Sequence, residues 1–328
     1  MTQPATGWMD NGSPSLNHLP MTTLEICAGG GGEALGLEAA GFKHAALVEI
    51  DSAACATLRF NRPGWNVLEQ DLHGFDARPY RGIDLLAGGV PCPPFSVAGK
   101  QLGSADERDL FGEALRIVEE TNPKAVMLEN VRGLGALKFA DYRAAILLRL
   151  SSLGYCANWR LLNASDFGVS QLRPRFILVA LRHEFASRFE WPTPSPAPKS
   201  VGALLHDLMA ARGWTGVDRW ADRANSIAPT VVGGSKKHGG PDLGPTRARQ
   251  QWLQLGVNGI GIAGEAPGPD FPIDGIPKLT VQMVARVQGF PDSWLFQGKK
   301  TAAYRQVGNA FPPPVATAVG FAIVRALA

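Results

Sequence analysis

The chain is short of several residue classes, and each shortage removes a class of protein. It holds only four cysteines, Cys27, Cys55, Cys92 and Cys156, well separated and without paired ligand spacing. That argues against a disulfide framework or a cysteine zinc site; no metal is expected, and reduced thiols in a cytoplasm fit better. No apolar run is long enough to span a membrane, because charges or glycines interrupt each candidate. Residues 1–20 have neither the basic start nor the apolar stretch of a signal peptide, and read as a flexible tail. Charge is sparse too, on 19% of residues, for a net +3. That balance tolerates a polyanionic partner without requiring one. No internal repeat is visible. What remains is an ordinary globular composition, 45% hydrophobic, on 328 residues, enough for one large domain and a smaller one.

From Thr22 the pattern is regular. TTLEIC (22–27) reads as a buried strand, followed by a glycine cluster and the helical GEALGLEAAG. HAALVEI (44–50), IDLLAG (83–88) and KAVMLEN (124–130) are further strands, with helices over SAACATLRFN (52–61), DLFGEALRIVEE (109–120) and YRAAILLRL (142–150). CANWRLLN and RFILVALR complete the strands. This alternation predicts an α/β protein, a doubly wound and mostly parallel sheet of the Rossmann-like kind with helices on both faces. The proline-rich EWPTPSPAP (190–198) breaks the pattern. From there to about Pro277 the chain is rich in glycine, proline and basic residues, with little periodicity. Helical signals return with LTVQMVARVQGF (279–290) and PPPVATAVGFAIVRALA, whose prolines suit a helix start. The expected organisation is a main domain over 21–182, a smaller inserted one over 183–277, and a C-terminal return over 278–328.

Four stretches carry chemistry. In EICAGGGGEALGLEAAGF (25–42), a strand, a glycine-rich turn and a helix N-terminus let a ligand approach the backbone closely. A dehydrogenase turn or a plain tight turn looks the same. Glu49, ending the second strand, and Asp71, after the third, sharpen it, because acids there bind ribose hydroxyls or an adenine amino group. Each acid alone reads equally well as a surface charge. Cys92 sits in GGVPCPPFSVAGKQ (88–101), among prolines that fix φ and favour an extended turn. A cysteine after an apolar strand is otherwise a small hydrophobe. Glu129 falls at the carboxyl edge of the sheet, or else in a cap region for the next turn. In SQLRPRF (170–176), Arg173 and Arg175 alternate and so face one side of an extended segment, as surface arginines often do.

Taken together these groups are less ordinary. A thiol, a carboxylate and two guanidiniums at the edge of a nucleotide-type sheet suit attack on carbon 6 of a pyrimidine. That carbon is a poor electrophile until ring nitrogen 3 is protonated or hydrogen-bonded, which Glu129 can do. Once sulfur has added, carbon 5 becomes a nucleophile for an activated methyl group.

In this order, from about Thr22 to the C-terminus, the stretches resemble the cytosine-5 DNA methyltransferases. EICAGGGG resembles the family's S-adenosyl-L-methionine (AdoMet) loop DLFAGxGG, with Glu25 for the aspartate and Cys27 for the phenylalanine. VEID and EQDL resemble the stretches whose acids, Glu49 and Asp71, meet ribose and adenine. GGVPCPPFSVAGKQ is similar to the nucleophile loop, LENV to the stretch carrying Glu129, and YRQVGNAFPPPV to the last motif. The resemblance implies AdoMet as cofactor, held by Cys27, Ala28, Gly29, Gly31 and Gly32 in the loop. Glu49, Ile50, Asp71, Leu72, Pro91 and Leu110 would line the rest, and Asn309 and Ala310 would close over it. It makes Cys92 the attacking thiol and Glu129 the partner of nitrogen 3, with Arg173 and Arg175 completing the catalytic group. Gln171, with Ser96, Lys100 and Gln101, would contact DNA. The 183–277 insert would be the target-recognition domain, where Lys236, Lys237, Arg247 and Arg249 suit phosphate contacts or a solvated loop. The implied substrate is a cytosine flipped out of double-stranded DNA. The implied setting is a bacterial, cytoplasmic, nucleoid-associated monomer without a membrane partner, alongside a cognate restriction endonuclease acting on the same site.

Three rivals remain open at this point. A nicotinamide- or flavin-dependent oxidoreductase rests on the glycine turn alone and leaves Cys92, Glu129 and QLRPR unexplained. The transfer-RNA methylating branch shares the catalytic groups, but its CFT-type signature is missing here. A non-catalytic DNA-binding relative would not need Cys92, Glu129 and Arg175 intact.

Overall fold

Apolar strand segments build the centre of the molecule. The computed structural model describes residues 20–91, 110–194, 197–234 and 240–328. The expected tail before residue 20, the thiol Cys92, and the DNA contacts Ser96, Lys100, Gln101, Lys236 and Lys237 lie outside the described residues. Seven strands form one sheet: β1 (Thr22–Ile26), β2 (Lys43–Glu49), β3 (Val67–Glu69), β4 (Leu85–Gly89), β5 (Ala125–Val131), β6 (Tyr155–Asn163) and β7 (Pro174–Arg182). Their order is β3-β2-β1-β4-β5-β7-β6. β1 to β5 run parallel, and β7 lies antiparallel between β5 and β6. The winding reverses between β1 and β4, the place where open α/β sheets leave a crevice at their carboxyl ends.

Both faces are covered, which is why the central strands are almost continuously apolar. The helices α1 (Gly32–Ala39) and α2 (Ser52–Asn61) follow β1 and β2, while α3 (Phe111–Thr121) and α4 (Ala140–Ser152) flank β5 in the chain. Leu24, Ile26, Leu86, Val126 and Leu128 pack with Phe111, Ile117, Ile146 and Leu150 of α3 and α4. The alternate residues Leu85, Ala87, Ala125 and Met127 pack with Leu37 of α1 on the other side.

After β7 the short α5 (His183–Ala186), Phe189 and Trp191 stay against that second layer. The segment from there to Pro277 reads as unpatterned in the sequence, yet it contains α6 (Val201–Ala210), α7 (Val217–Arg223) and α8 (Thr246–Gln254). Each is shorter than the 11–18 residues over which a helical period becomes readable. Trp214, Trp220 and Trp252 are buried there, in a cluster continuous with Leu58 of α2 and with Phe290 and Trp294. The C-terminal part supplies α9 (Val281–Val287), α10 (Lys300–Asn309) and α11 (Pro313–Leu327), and α11 packs along α1. The stretch Lys300–Leu327 does have the length and hydropathy of a membrane span, contrary to the sequence expectation, but 67% of its most apolar window is buried. Residues 310–312, ending in Pro312, separate its two helices, and Val315, Val319 and Ile323 sit in the core.

α1 and α11 approach so closely that glycine is required where they touch. A Cβ at Gly36 would lie 2.5 Å from both Ala316 Cβ and Pro313 O, and one at Gly320 would lie 2.8 Å from Ala40 Cβ. Gly36→Val should therefore destabilise the protein by about 1–3 kcal/mol, seen as a lower melting temperature in calorimetry. Gly64→Ala, where nothing lies within 4 Å, should leave it nearly unchanged. Equal melting temperatures for both variants would show that the helices yield without cost.

Candidate active site

The strand ends converge on one cavity of about 510 Å³ at the β1/β4 reversal. The glycine turn after β1 forms its floor. Trp294 Nε1 donates to Gly30 O at 3.0 Å, and Ala28 N donates to Val48 O at 3.2 Å, so the turn is anchored from two sides. A Cβ at Gly32 would fall 2.1 Å from Phe311 O, whereas one at Gly29 would meet nothing nearer than Cys27 O at 3.9 Å. Gly29 has φ of +54° and lines the cavity, so its backbone is open to a ligand. Glu49 holds the loop from β2: its carboxylate accepts from Gly29 N and from Asp51 N, both at 2.7 Å. An ionised carboxylate has lone pairs left for further donors.

Along the same wall Ile50 is 64% exposed, and Leu72 and Leu110 add apolar surface facing the cavity. Asp71 accepts from His73 N at 2.9 Å. Asn309 and Ala310 line the opposite side with Phe311. An apolar wall, two acids at strand ends and an open glycine backbone suit an adenosyl cofactor. All thirteen residues expected to hold it lie at or beside this cavity, with Gly31 set back against Leu58 and Trp294. Pro91 and Leu110 both line it, and Leu110 N donates to Pro91 O at 3.3 Å. Cys92 is the next residue in the chain.

Glu129 ends the row. Across the β5/β7 pairing it faces Ile177, which puts Arg175 on the diagonal of the same face. Arg175 Nε lies 2.6 Å from Glu129 Oε1, with both side chains about nine-tenths buried. Burial raises the Glu129 pKa, opposed by the charges of Arg175 and Arg173. Three of the four thiols are described. Burial pushes Cys27 up strongly and Cys55 up to about 11, so neither is a ready thiolate. Cys156 is exposed on β6, against His183 Nδ1 at 3.1 Å.

Two expected roles change. Arg173 and Arg175 do not act alike: Arg173 is fully buried and donates to Val231 O at 2.6 Å and to Gly308 O and Ala310 O at 2.9 Å. Both of its terminal nitrogens are engaged by backbone carbonyls, which suits a positioning role rather than contact with a substrate. Gln171, expected to contact DNA, is also fully buried. Its oxygen accepts from Val231 N at 2.8 Å and its amide donates to Gln288, so neither end is free for a base or phosphate. Arg247 is exposed on α8, and Arg249 is half-buried, bonded to Thr246 Oγ1 at 3.3 Å.

Sequence reasoning passes over several residues. Asn130 Nδ2 donates to Val90 O at 2.8 Å and so fixes the strand end that leads to Pro91 and Cys92. Gln288 Nε2 donates to Val307 O and Ala310 O. Glu25 and His44 form a buried pair behind the loop, with His44 Nδ1 3.9 Å from Glu25 Oε2, and Glu33, also buried, lines the cavity. The LEN and helix-start patterns offered a signal for Asn130 and Glu33; nothing local marked Gln288.

A family model described as C-5 cytosine-specific DNA methylase matches residues 21–325. The chain is 56% identical over 311 residues to the Type II methyltransferase M.NaeI of Lentzea aerocolonigenes, covering 94% of this chain and 75% of that protein. It is 55% identical over 313 residues to the Type II methyltransferase M.NgoMIV of Neisseria gonorrhoeae, covering 94% and 99%. Among solved structures it is similar to the Entamoeba histolytica methyltransferase EhMeth, with TM-score 0.68 at 14% identity, covering 95% and 100% of the two chains. It is also similar to the S. pombe Dnmt2 methyltransferase, with TM-score 0.61 at 17% identity, covering 94% and 98%. At those identities the structures speak for the fold.

The buried acids make a prediction about pH. Burial, with the charge of Glu49 adding to it, raises the Glu25 pKa well above the ordinary carboxylate value. The folded state thus holds this proton more tightly than the unfolded chain, so its contribution is full in acid and is lost as pH rises. Glu25→Gln should raise the melting temperature more at about pH 8.5 than at about pH 5.5. An equal change at both would mean that the carboxyl titrates normally.

Proposed function

From the premise that the chain belongs to the C-5 cytosine-specific DNA methylase family, we propose that Cys92, Glu129 and Arg175 carry out the transfer at this cavity. The protein is a sequence-specific DNA cytosine-5 methyltransferase of the restriction–modification type, and AdoMet is its cofactor. Relatives more than half identical are Type II methyltransferases, which leaves the oxidoreductase and transfer-RNA readings without support.

The observation that supports the residue assignment is that Glu129, paired with Arg175, lines the same cavity as Pro91, which precedes Cys92. A carboxyl whose pKa is raised by burial keeps a proton to share with ring nitrogen 3 of cytosine. Arg175 orients that carboxyl and stabilises it when the proton moves. With nitrogen 3 so engaged, the Cys92 thiolate adds to carbon 6 and carbon 5 becomes nucleophilic. AdoMet, when bound, supplies the electrophilic methyl group there; Glu49, Asp71 and the Gly29 backbone are the groups that would hold it. Loss of the carbon 5 proton to solvent then restores the 5,6 double bond and expels sulfur as the Cys92 thiolate.

Sequence specificity belongs in this reading to the insert, whose tryptophans Trp214, Trp220 and Trp252 share one core with Leu58, Phe290 and Trp294 of the flanking parts. Its basic residues Lys236, Lys237, Arg247 and Arg249 suit the phosphates of duplex DNA. The methyltransferase acts as a monomer in a bacterial cytoplasm on nucleoid DNA, protecting sites that a cognate restriction endonuclease would cut.

Duplex DNA carrying 5-fluorocytosine at the target tests the assignment, since fluorine cannot leave as a proton does. The wild-type chain should give a stable adduct with AdoMet, and Cys92→Ala should give none. Glu129→Gln should still bind DNA but form the adduct about 10²–10⁴-fold more slowly. An adduct that persists in Cys92→Ala, or an unchanged rate in Glu129→Gln, would overturn it.

A further inference from the structure

Glu33 is a carboxylate that the chemistry above does not use. It stands in the first turn of α1, immediately after the glycine turn, is 4% exposed, and lines the cofactor cavity. Among the described residues its Oε1 has no hydrogen-bond partner. Leaving a carboxylate oxygen buried and unpartnered is costly, so a group that faces it on binding gains more than it would in water. Among the described residues no lysine lines this cavity, and the one arginine that does, Arg305, is engaged at 3.6 Å with Asp51.

The position of Glu33 selects which part of the cofactor it meets. Ile50, Asp71 and Leu72 at the ends of β2 and β3 form the wall suited to a base, and Glu49 stands between them and the loop. Glu33 is at the other end, where it feels the charge of Glu129 and the peptide of Gly88 on β4. Glu129 also stands 3.5 Å from where a Cβ on Gly89 would lie. The methyl donor must be at this end, since the cytosine held by Glu129 receives the group. Burial, with Glu25 and Glu129 adding negative charge, raises the Glu33 pKa; a cation beside it would draw the carboxylate form back.

We propose that Glu33 is the counter-charge for the cationic sulfur of AdoMet, and that through it the enzyme distinguishes AdoMet from the neutral thioether product, S-adenosyl-L-homocysteine. The inference rests on this cavity being the AdoMet site. Substrate and product carry the same adenosine and the same amino-acid charges, and differ only in the sulfonium methyl and its charge. An acid facing that sulfur therefore acts on one and not on the other. Its loss should remove binding selectivity while leaving the shared contacts in place.

Calorimetric titration of the full chain with three ligands tests this without turnover: AdoMet, S-adenosyl-L-homocysteine, and sinefungin, which carries an amine-bearing carbon in place of the sulfonium. In Glu33→Gln the affinity for AdoMet should fall roughly tenfold to a hundredfold relative to that for the thioether, the range of one charge-assisted contact. Sinefungin should fall with AdoMet. Retained thioether binding shows that the variant is folded. Equal weakening of all three ligands, or no change in any, would overturn the proposal. Failure of the wild-type chain to bind any of the three would overturn the AdoMet site itself.

Discussion

One buried guanidinium holds the site together. Arg173 leaves the sheet just before β7 and reaches carbonyls of two distant segments: Val231, and Gly308 and Ala310 at the C-terminal end of α10. Gln171 and Gln288 extend the same network, since Gln171 takes Val231 N and Gln288 takes the carbonyls of Val307 and Ala310. The segments so joined line the cofactor cavity at Asn309 and Ala310 and lead into the insert at Gly233. Each of these buried carbonyls left unpaired would cost about 1–3 kcal/mol, so the arrangement is specified rather than incidental. It ties the wall of the cavity to the segment proposed to read DNA.

Electrostatics in the cavity follow a single logic. Glu25, Glu33, Glu49 and Glu129 crowd the strand ends, and among the described residues neither oxygen of Glu25 nor Oε1 of Glu33 has a hydrogen-bond partner. Such a cluster is unfavourable by itself and favours a cationic ligand. Glu129 differs because Arg175 stands against it at 2.6 Å, which fixes its orientation while burial keeps its proton affinity high. Neighbouring carboxylates thus serve different tasks by virtue of their partners.

Much of this was legible in the chain. The strand–helix alternation from Thr22 to Arg182 predicted the parallel sheet because fully buried strands have to be apolar throughout. Glu49, Asp71, Glu129 and the glycine turn were readable because open sheets put ligands at their carboxyl ends. Other features depend on tertiary contacts with no local signature. The alternation of Arg173 and Arg175 predicted a shared role, but strand pairing gives Arg175 a carboxylate while the sheet's end gives Arg173 three carbonyls. Gln171, expected from the resemblance to contact DNA, is buried against Gln288, 117 positions away. The helices of the insert were hidden by their shortness, and their tryptophans pack on residues from both flanking parts of the chain.

The central claim is that Arg173 makes the insert and the C-terminal wall of the cofactor site one unit, and amide hydrogen exchange tests it most directly. In Arg173→Met, amides over 228–234 and 306–311 should lose protection together, while β1, β2 and β4 keep theirs. Loosening confined to one of the two segments, or spread evenly through the sheet, would contradict the account.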